Sequence, residues 1–111
     1  DEHKLKVNLG ISGINERLDA QTETVLYRVI QESVNNVIKH AKASLLSIQL
    51  VKDSDGINLS IEDNGIGFDK NSTKNGIGLE NIKSRIALIN GEIEYDTAVG
   101  KGTLVNIFIP N

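Results

Sequence analysis

SIEDNGIGFD, residues 60–69, carries a strand-like segment into Asp63-Asn64-Gly65-Ile66-Gly67. From residue 75 the chain spells NGIGLENI, a second Gly-x-Gly that leads into a helix-like run. Glycine weakens regular elements and is useful where a backbone turns sharply or approaches a ligand closely. Two such pairs this near each other point to one ligand gripped at two ends. They also divide the chain into a strand-rich block before them and a helix followed by strands after them.

Outward from that stretch, INLSIED and LLSIQLVK are rich in branched apolar residues and flank DSDG, where Asp55-Gly56 is a turn signal. A β-hairpin is predicted there. Upstream, Val25, Leu26, Val29, Ile30, Val34, Val37, Ile38 and Ala41 recur at steps of three and four, so one helix is predicted over about 20–41. Asp19 or Thr22 is its candidate cap. KLKVNLGI (4–11) alternates polar and apolar residues, as a half-buried strand does. Downstream, Leu79, Ile82, Ile86 and Ile89 have helical spacing, and Asn90-Gly91 supplies a stop. EIEYD, a turn at AVGKG, and TLVNIFI then form a second hairpin, with the single proline, Pro110, beyond the last strand. The order is strand, helix, two strands, helix, two strands. Each helix has one apolar face and must lie on something. The fold class expected is α/β: a two-layer sandwich with a mixed, mostly antiparallel sheet and helices on one face.

The bulk composition narrows the function. At 111 residues the chain fits one domain, residues 1–111. A net charge of −3 argues against nonspecific nucleic-acid binding, which uses a basic surface. No apolar run approaches the ~20 residues that span a bilayer, so no membrane contact by this domain is expected. The absence of cysteine removes disulfides, thiolate metal sites and thiol catalysis. Methionine is absent even at residue 1, which reads as a domain excised from a longer chain.

Three clusters carry candidate chemistry. Glu32, Asn36 and His40 follow at steps of four on the first helix, with Lys39 beside them. They form either a solvated face or a site in which the Asn36 amide oxygen, next to a carboxylate, meets a hard cation such as magnesium. Magnesium takes few protein oxygens and completes its octahedron with phosphate and water. Asp63, with Gly65 and Gly67, ends an apolar strand. It is either a simple acidic turn or a partly desolvated carboxylate that needs a donor, such as an adenine amino group. Gly76 and Gly78 precede LENIKSRIALI; they either give a helix entry flexibility or bare its N–H groups to phosphate. Two familiar motifs are excluded. A G-x-G-x-x-G would need glycine at Lys70 or Asn81, and GKGT (100–103) has Tyr95 where a P-loop has its first glycine.

Taken together and in order, QESVNNVIKHA, EDNGIGF, NGIGLENI and GKGT resemble the N box, the two glycine boxes and the closing glycine-threonine motif of the ATP-binding domain of sensor histidine kinases, within the GHKL superfamily that includes DNA gyrase. The matches span residues 31–110. Arg85 and the short linker between Phe68 and Gly76 look most like the nitrate-sensor and desaturase-thermosensor branch, with its short ATP lid. The resemblance implies the Bergerat sandwich, with ATP and Mg²⁺ as ligands. It implies Asn36 as magnesium ligand, Glu32 as the acidic catalytic residue, and Lys39 and His40 near the phosphates. Asp63 would accept from the adenine amino group while Gly65 and Gly67 let the base approach. Gly76, Gly78 and Leu79 would lie at the lid hinge beside the phosphates, and Thr103 would hold the adenine through water.

The implied activity is transfer of the γ-phosphoryl group to a histidine on a separate dimerisation domain, followed by a response regulator, in the cytoplasm. Only His3 and His40 are present. His3 lies in a polar terminal stretch and His40 in the N box, so the phosphate acceptor is expected elsewhere and the domain alone is expected not to phosphorylate itself. Two other readings remain at this point. One is an ATPase clamp of the gyrase kind, with Glu32 activating water, which would need a longer lid and a partner lysine. The other is a regulatory module like an anti-sigma-factor kinase, which would be nearly complete at this length.

Overall fold

The computed structural model describes residues 4–67 and 77–111. The elements run β1 (Lys6–Ser12), α1 (Ala20–Asn36), a π-helical turn (Val37–Ala41), β2 (Leu45–Lys52), β3 (Gly56–Asp63), α2 (Ile77–Ala87), β4 (Glu92–Thr97) and β5 (Thr103–Pro110). The strands form one sheet in the order β1-β2-β3-β5-β4. The β2–β3, β3–β5 and β4–β5 pairs are antiparallel and β1–β2 is parallel. This is the expected mixed two-layer α/β sandwich.

Period-two alternation builds the buried face. Leu46, Ile48 and Leu50 of β2, Ile57, Leu59 and Ile61 of β3, and Val105, Ile107 and Ile109 of β5 all point inward and are buried. Their neighbours Gln49, Asn58, Glu62 and Asn106 are exposed on the other face. Val25, Leu26 and Val29 of α1 and Ile82 and Ile86 of α2 close the same core from above. Burying branched apolar side chains is worth roughly 1.5–3 kcal/mol each, so this one-sided layer dominates stability.

Local chemistry sets the ends of the helices. The Asp19 side chain accepts from the Thr22 N–H at 3.3 Å and caps α1. Arg17 grips Glu23 with its guanidinium fork, while Glu23 also accepts from the Leu18 N–H at 2.9 Å. The predicted helix to residue 41 is continuous but changes pitch: from Val37 it is a π turn, ended by Lys42 at φ 52°. The wider turn takes Ile38 out of the apolar stripe, and it stands 61% exposed instead of buried. At the end of α2, Asn90 adopts φ 60° and the Gly91 N–H bonds to the Ile86 carbonyl at 3.0 Å, which is the predicted stop.

The parallel β1–β2 pair, which makes the sheet mixed as expected, needs a crossover, and α1 is that crossover. Two other features differ from the sequence reading. Pro110 is the last residue of β5, opposite Gly56, not beyond the strand. The alternation in β1 does not bury a face: Val7, Leu9 and Ile11 share the core side with their β2 partners yet are 49%, 62% and 58% exposed. β1 is an edge strand, and the helices cover the middle of the sheet.

The connections also fix which ends meet. Since β1 and β2 run the same way, α1 returns against them and finishes where those strands begin. Leu46 stands there opposite Asp63, Asp63 opposite Thr103, and Thr103 opposite Thr97. A tight turn joins α2 to the start of β4, so α2 begins at that same end of the sheet. Truncation should separate the two kinds of strand residue. Leu59→Ala, at 1% exposure, is expected to cost about 2–5 kcal/mol, whereas Leu9→Ala should stay within about 0.5 kcal/mol. Denaturant unfolding of the two variants measures this, and equal losses would contradict the exposed edge.

Candidate nucleotide site

Asp63 sits at the last position of β3, half-buried, where the strand turns out of the sheet. Its Oδ1 accepts from the Gly65 N–H at 2.8 Å, an Asx-type turn, and no bond from the described residues reaches Oδ2. Burial is the main cause that pushes this carboxyl above its ordinary value. The Gly65 N–H partly opposes the shift, and the neighbouring charge of Glu62 adds to it. A desolvated carboxylate with an open oxygen is a strong acceptor awaiting a donor.

Beside it, Thr97 and Thr103 hydroxyls lie 2.8 Å apart, and Thr97 Oγ1 donates to the Gly102 carbonyl at 3.1 Å. Thr97 has one hydroxyl proton and that bond uses it, so Thr103 is the donor between the two. Thr103 therefore turns its lone pairs outward. Asp63 and Thr103 together make a corner that offers acceptors. They line a cleft of about 310 Å³, with Glu62, Asp96 and Lys101 also at its walls.

The floor of this corner is built from two loops laid backbone on backbone. The Gly100 N–H bonds to the Ile66 carbonyl at 2.6 Å. A Cβ on Gly67 would strike the Ala98 carbonyl, and one on Gly102 would strike the Asp63 carbonyl. Both glycines have positive φ, 63° and 76°. The side of Gly67 where a Cβ would stand is thus taken by loop packing, a structural demand that Gly-x-Gly spacing alone did not reveal. Gly65 is buried in the same turn.

Asn64 is a residue whose part the sequence did not show. Its Oδ1 accepts from the Ser44 and Leu45 N–H groups at 2.9 and 3.0 Å, and its Nδ2 donates to Ser44 Oγ at 2.9 Å. The side chain ties the Asp63 turn to the start of β2, just beyond the π turn. In sequence it looked like a generic turn asparagine, and the only signal was its position within DNG.

The α1 stripe arrives at the same end of the sheet. Asn36 is half-buried, and its side chain has no hydrogen-bond partner among the described residues. Ser33 Oγ is buried and likewise without a partner there. Glu32, half-buried, is held by Arg85 of α2 through a 2.8 Å bond from Nε to Oε1. Lys39 and His40 are exposed in the π turn, whose pitch takes His40 off the regular spacing with Glu32 and Asn36. Gly78 and Leu79 lie in the first turn of α2. Gly76, the lid expected over 69–75, and His3 fall outside the described residues. Among the described residues no group of three His, Cys, Asp or Glu side chains is placed to hold a metal. A cation here would therefore draw most of its ligands from phosphate and water.

The strained ionisation of Asp63 has a measurable sign. A carboxyl with a raised folded pKa stabilises the fold below its unfolded value and loses that contribution as pH rises through the folded value. At neutral pH the ionised group therefore costs stability. Asp63→Asn keeps the acceptor for Gly65, so the apo domain should melt at a higher temperature than wild type at pH 7. That gain should shrink to nothing below the ordinary value of 3.8. ATP affinity should fall by about 10- to 150-fold, the loss of a charge-assisted bond of roughly 1.5–3 kcal/mol. Thermal melts across pH and calorimetric titration of both proteins test this. A variant that is less stable at pH 7 with unchanged affinity per folded molecule would make Asp63 a turn former only.

Comparison with known proteins agrees with this geometry. Residues 21–111 match the family described as histidine kinase-, DNA gyrase B-, and HSP90-like ATPase. An uncharacterized sensor-like histidine kinase of Chloroflexus aurantiacus is 41% identical over 101 residues, 85% of this chain and 17% of that protein. The oxygen sensor histidine kinase NreB of Staphylococcus carnosus is 31% identical, over 96% of this chain and 31% of its own length. The signal transduction histidine-protein kinase/phosphatase DegS of Bacillus subtilis is 34% identical, over 96% of this chain and 29% of its length. The chain thus spans less than a third of each of these relatives. Among solved structures, the ATP-binding domain of PrrB from Mycobacterium tuberculosis aligns with a TM-score of 0.72 at 20% identity, covering 96% of this chain and 80% of that one. The histidine kinase domain of the Erythrobacter litoralis EL346 blue-light activated histidine kinase aligns at 0.76 and 20%, covering 94% and 51%. With the family model matched over residues 21–111 and the sandwich fold shared, this chain belongs to the histidine kinase-, DNA gyrase B- and HSP90-like ATPases.

Proposed function

We propose that this domain binds Mg²⁺-ATP at the shared end of the sheet and delivers the γ-phosphoryl group to a histidine on a separate dimerisation domain, from which a response regulator is then served. The observation that carries the reading is the acceptor corner of Asp63 and Thr103, set at the same sheet end as the start of α2 and the Asn36 amide, which no described residue bonds. The relatives are sensor histidine kinases, which supports this reading over an ATPase clamp.

The chemistry follows from the residues. Open Asp63 Oδ2 accepts from the adenine exocyclic amine, and Thr103 offers lone pairs to a water on the same edge. Guanine presents a carbonyl where adenine presents the amine, so acceptor would face acceptor and GTP is rejected. The first turn of α2, at Gly78, offers backbone N–H groups to phosphate. Asn36 would hold the magnesium ion, which when bound neutralises charge on the phosphate oxygens. The acceptor imidazole nitrogen forms a bond to Pγ as the bridging Pγ–O bond breaks and ADP leaves. Glu32, one turn before Asn36, takes the proton released by that imidazole. Lys39 adds positive charge at the phosphate side, and His40 stands beside it.

Asn36→Ala tests the metal assignment. Calorimetric titration of ATP should show magnesium-dependent affinity in the wild type and almost no dependence in the variant, with the magnesium-free affinity retained. Equal loss in both conditions would point to a folding defect instead. Incubated alone with labelled ATP, the domain should stay unlabelled, and acid-labile phosphate on His3 or His40 would refute a separate acceptor.

A further inference from the structure

The contact between Glu32 and Arg85 joins the two helices that frame the site, and it is built in an unusual way for a helix clamp. Arg85 reaches Glu32 through Nε alone, at 2.8 Å from Oε1. The fork-to-fork pairing that gives arginine–carboxylate contacts their strength is not made here, although Arg17 and Glu23 in the same chain do make it. Both Arg85 and Glu32 side chains are near one-third exposed, 36% and 28%. Pairs in that setting contribute little to folding. What the bond does deliver is orientation. It fixes one carboxylate oxygen of a side chain with three rotatable bonds, and no bond from a described residue reaches Oε2.

A competitor makes that orientation matter. Arg28 stands four residues before Glu32 on α1 and lines the same interhelical groove as Arg85. Helical side chains lean toward their own N-terminus, so without Arg85 the carboxylate is drawn back along α1 toward Arg28 and away from Asn36. Arg85 belongs to α2, the helix whose first turn holds Gly78.

We infer that Arg85 is a positioning residue for phosphoryl transfer: by holding Glu32 Oε1 it presents Oε2 beside Asn36, and it makes that presentation depend on α2 being seated. The inference rests on the kinase reading above. It assigns Arg85 no contact with nucleotide, so its loss should leave binding intact.

The test uses the full chain that carries both this domain and the acceptor histidine, with rates taken per folded molecule from thermal melts. Wild type should form acid-labile phosphohistidine. Arg85→Ala should slow phosphorylation at saturating ATP by about tenfold or more, a loss of general-base assistance, while ATP affinity stays within about threefold. Arg85→Lys should recover part of the rate. Glu32→Gln should be slow, and adding Arg85→Ala to it should cause no further loss, because Arg85 acts through Glu32. Native turnover in Arg85→Ala would overturn the inference, as would an equal slowing of the wild type and the Glu32→Gln background. A wild-type chain that binds ATP but forms no phosphohistidine would instead remove the kinase reading and this inference with it.

Discussion

The candidate site depends on one backbone contact, the seating of the 64–67 turn on the 98–102 loop. These segments follow β3 and β4, the two strands that flank β5 on either side, and each must leave the sheet at the same end. They do so by packing peptide against peptide, which only glycine permits at Gly67 and Gly102. The Gly100–Ile66 hydrogen bond locks the two together. With both loops folded outward in this way, the last rungs of β3 and β5 are left uncovered, and Asp63 and Thr103 stand at those rungs. The acceptor corner is thus a by-product of how the sheet ends. Its precision comes from strands that are paired on both sides, and that is more rigid support than a loop could give.

The same placement sets stability against function. A carboxylate at a half-buried strand end loses hydration and, among the described residues, receives one backbone N–H in return. An ordinary turn would relieve this by exposing the group or by adding a second donor. Here the apolar layer beneath the sheet, with Leu59, Ile107 and Val29 almost fully buried, supplies enough stabilisation to carry one poorly satisfied charge. The buried hydroxyl of Ser33 on α1 is a further polar group without a partner among the described residues. Buried polar groups left short of partners in a well-satisfied fold call for an explanation, and a ligand is one.

Much of this was legible in the sequence because it rests on short-range period. Branched apolar runs set beside turn signals gave β2, β3 and β5, three-and-four spacing gave both helices, and Asn90-Gly91 gave the end of α2. Asp63 was legible as a charge at the end of an apolar run. What was hidden involves partners distant in the chain. Alternation in β1 looks the same whether the strand is central or at an edge, so the exposure of Leu9 could not be read. The parallel pairing of β1 with β2 depends on where α1 crosses. The π turn at Val37 changes pitch without any proline or glycine to announce it. Arg85 and Glu32 are 53 positions apart, and Asn64 acts on Ser44 and Leu45 across a strand pair, so neither side-chain role leaves a local signal.

The two helices differ in what they bring to the shared end, and their directions explain the division of labour. α1 arrives with its C-terminus, where unpaired carbonyls carry partial negative charge, and α2 departs with its N-terminus, where free N–H groups carry partial positive charge. A cation is favoured at the first and an anion at the second. Asn36 is the last α-helical residue before the π turn, and the basic Lys39 and His40 lie in that turn, at the true C-terminal end of the helix, as the dipole favours. Gly78 lies in the opening turn of α2, so no Cβ there shields the backbone N–H groups. A metal–polyphosphate ligand has this same polarity, a cation bridging anions, and it would lie across the gap between the helix ends with each part against the complementary terminus. Side chains then refine a preference that topology has already set: an α1 that returns against β2 and an α2 that turns tightly into β4 cannot present any other pair of ends.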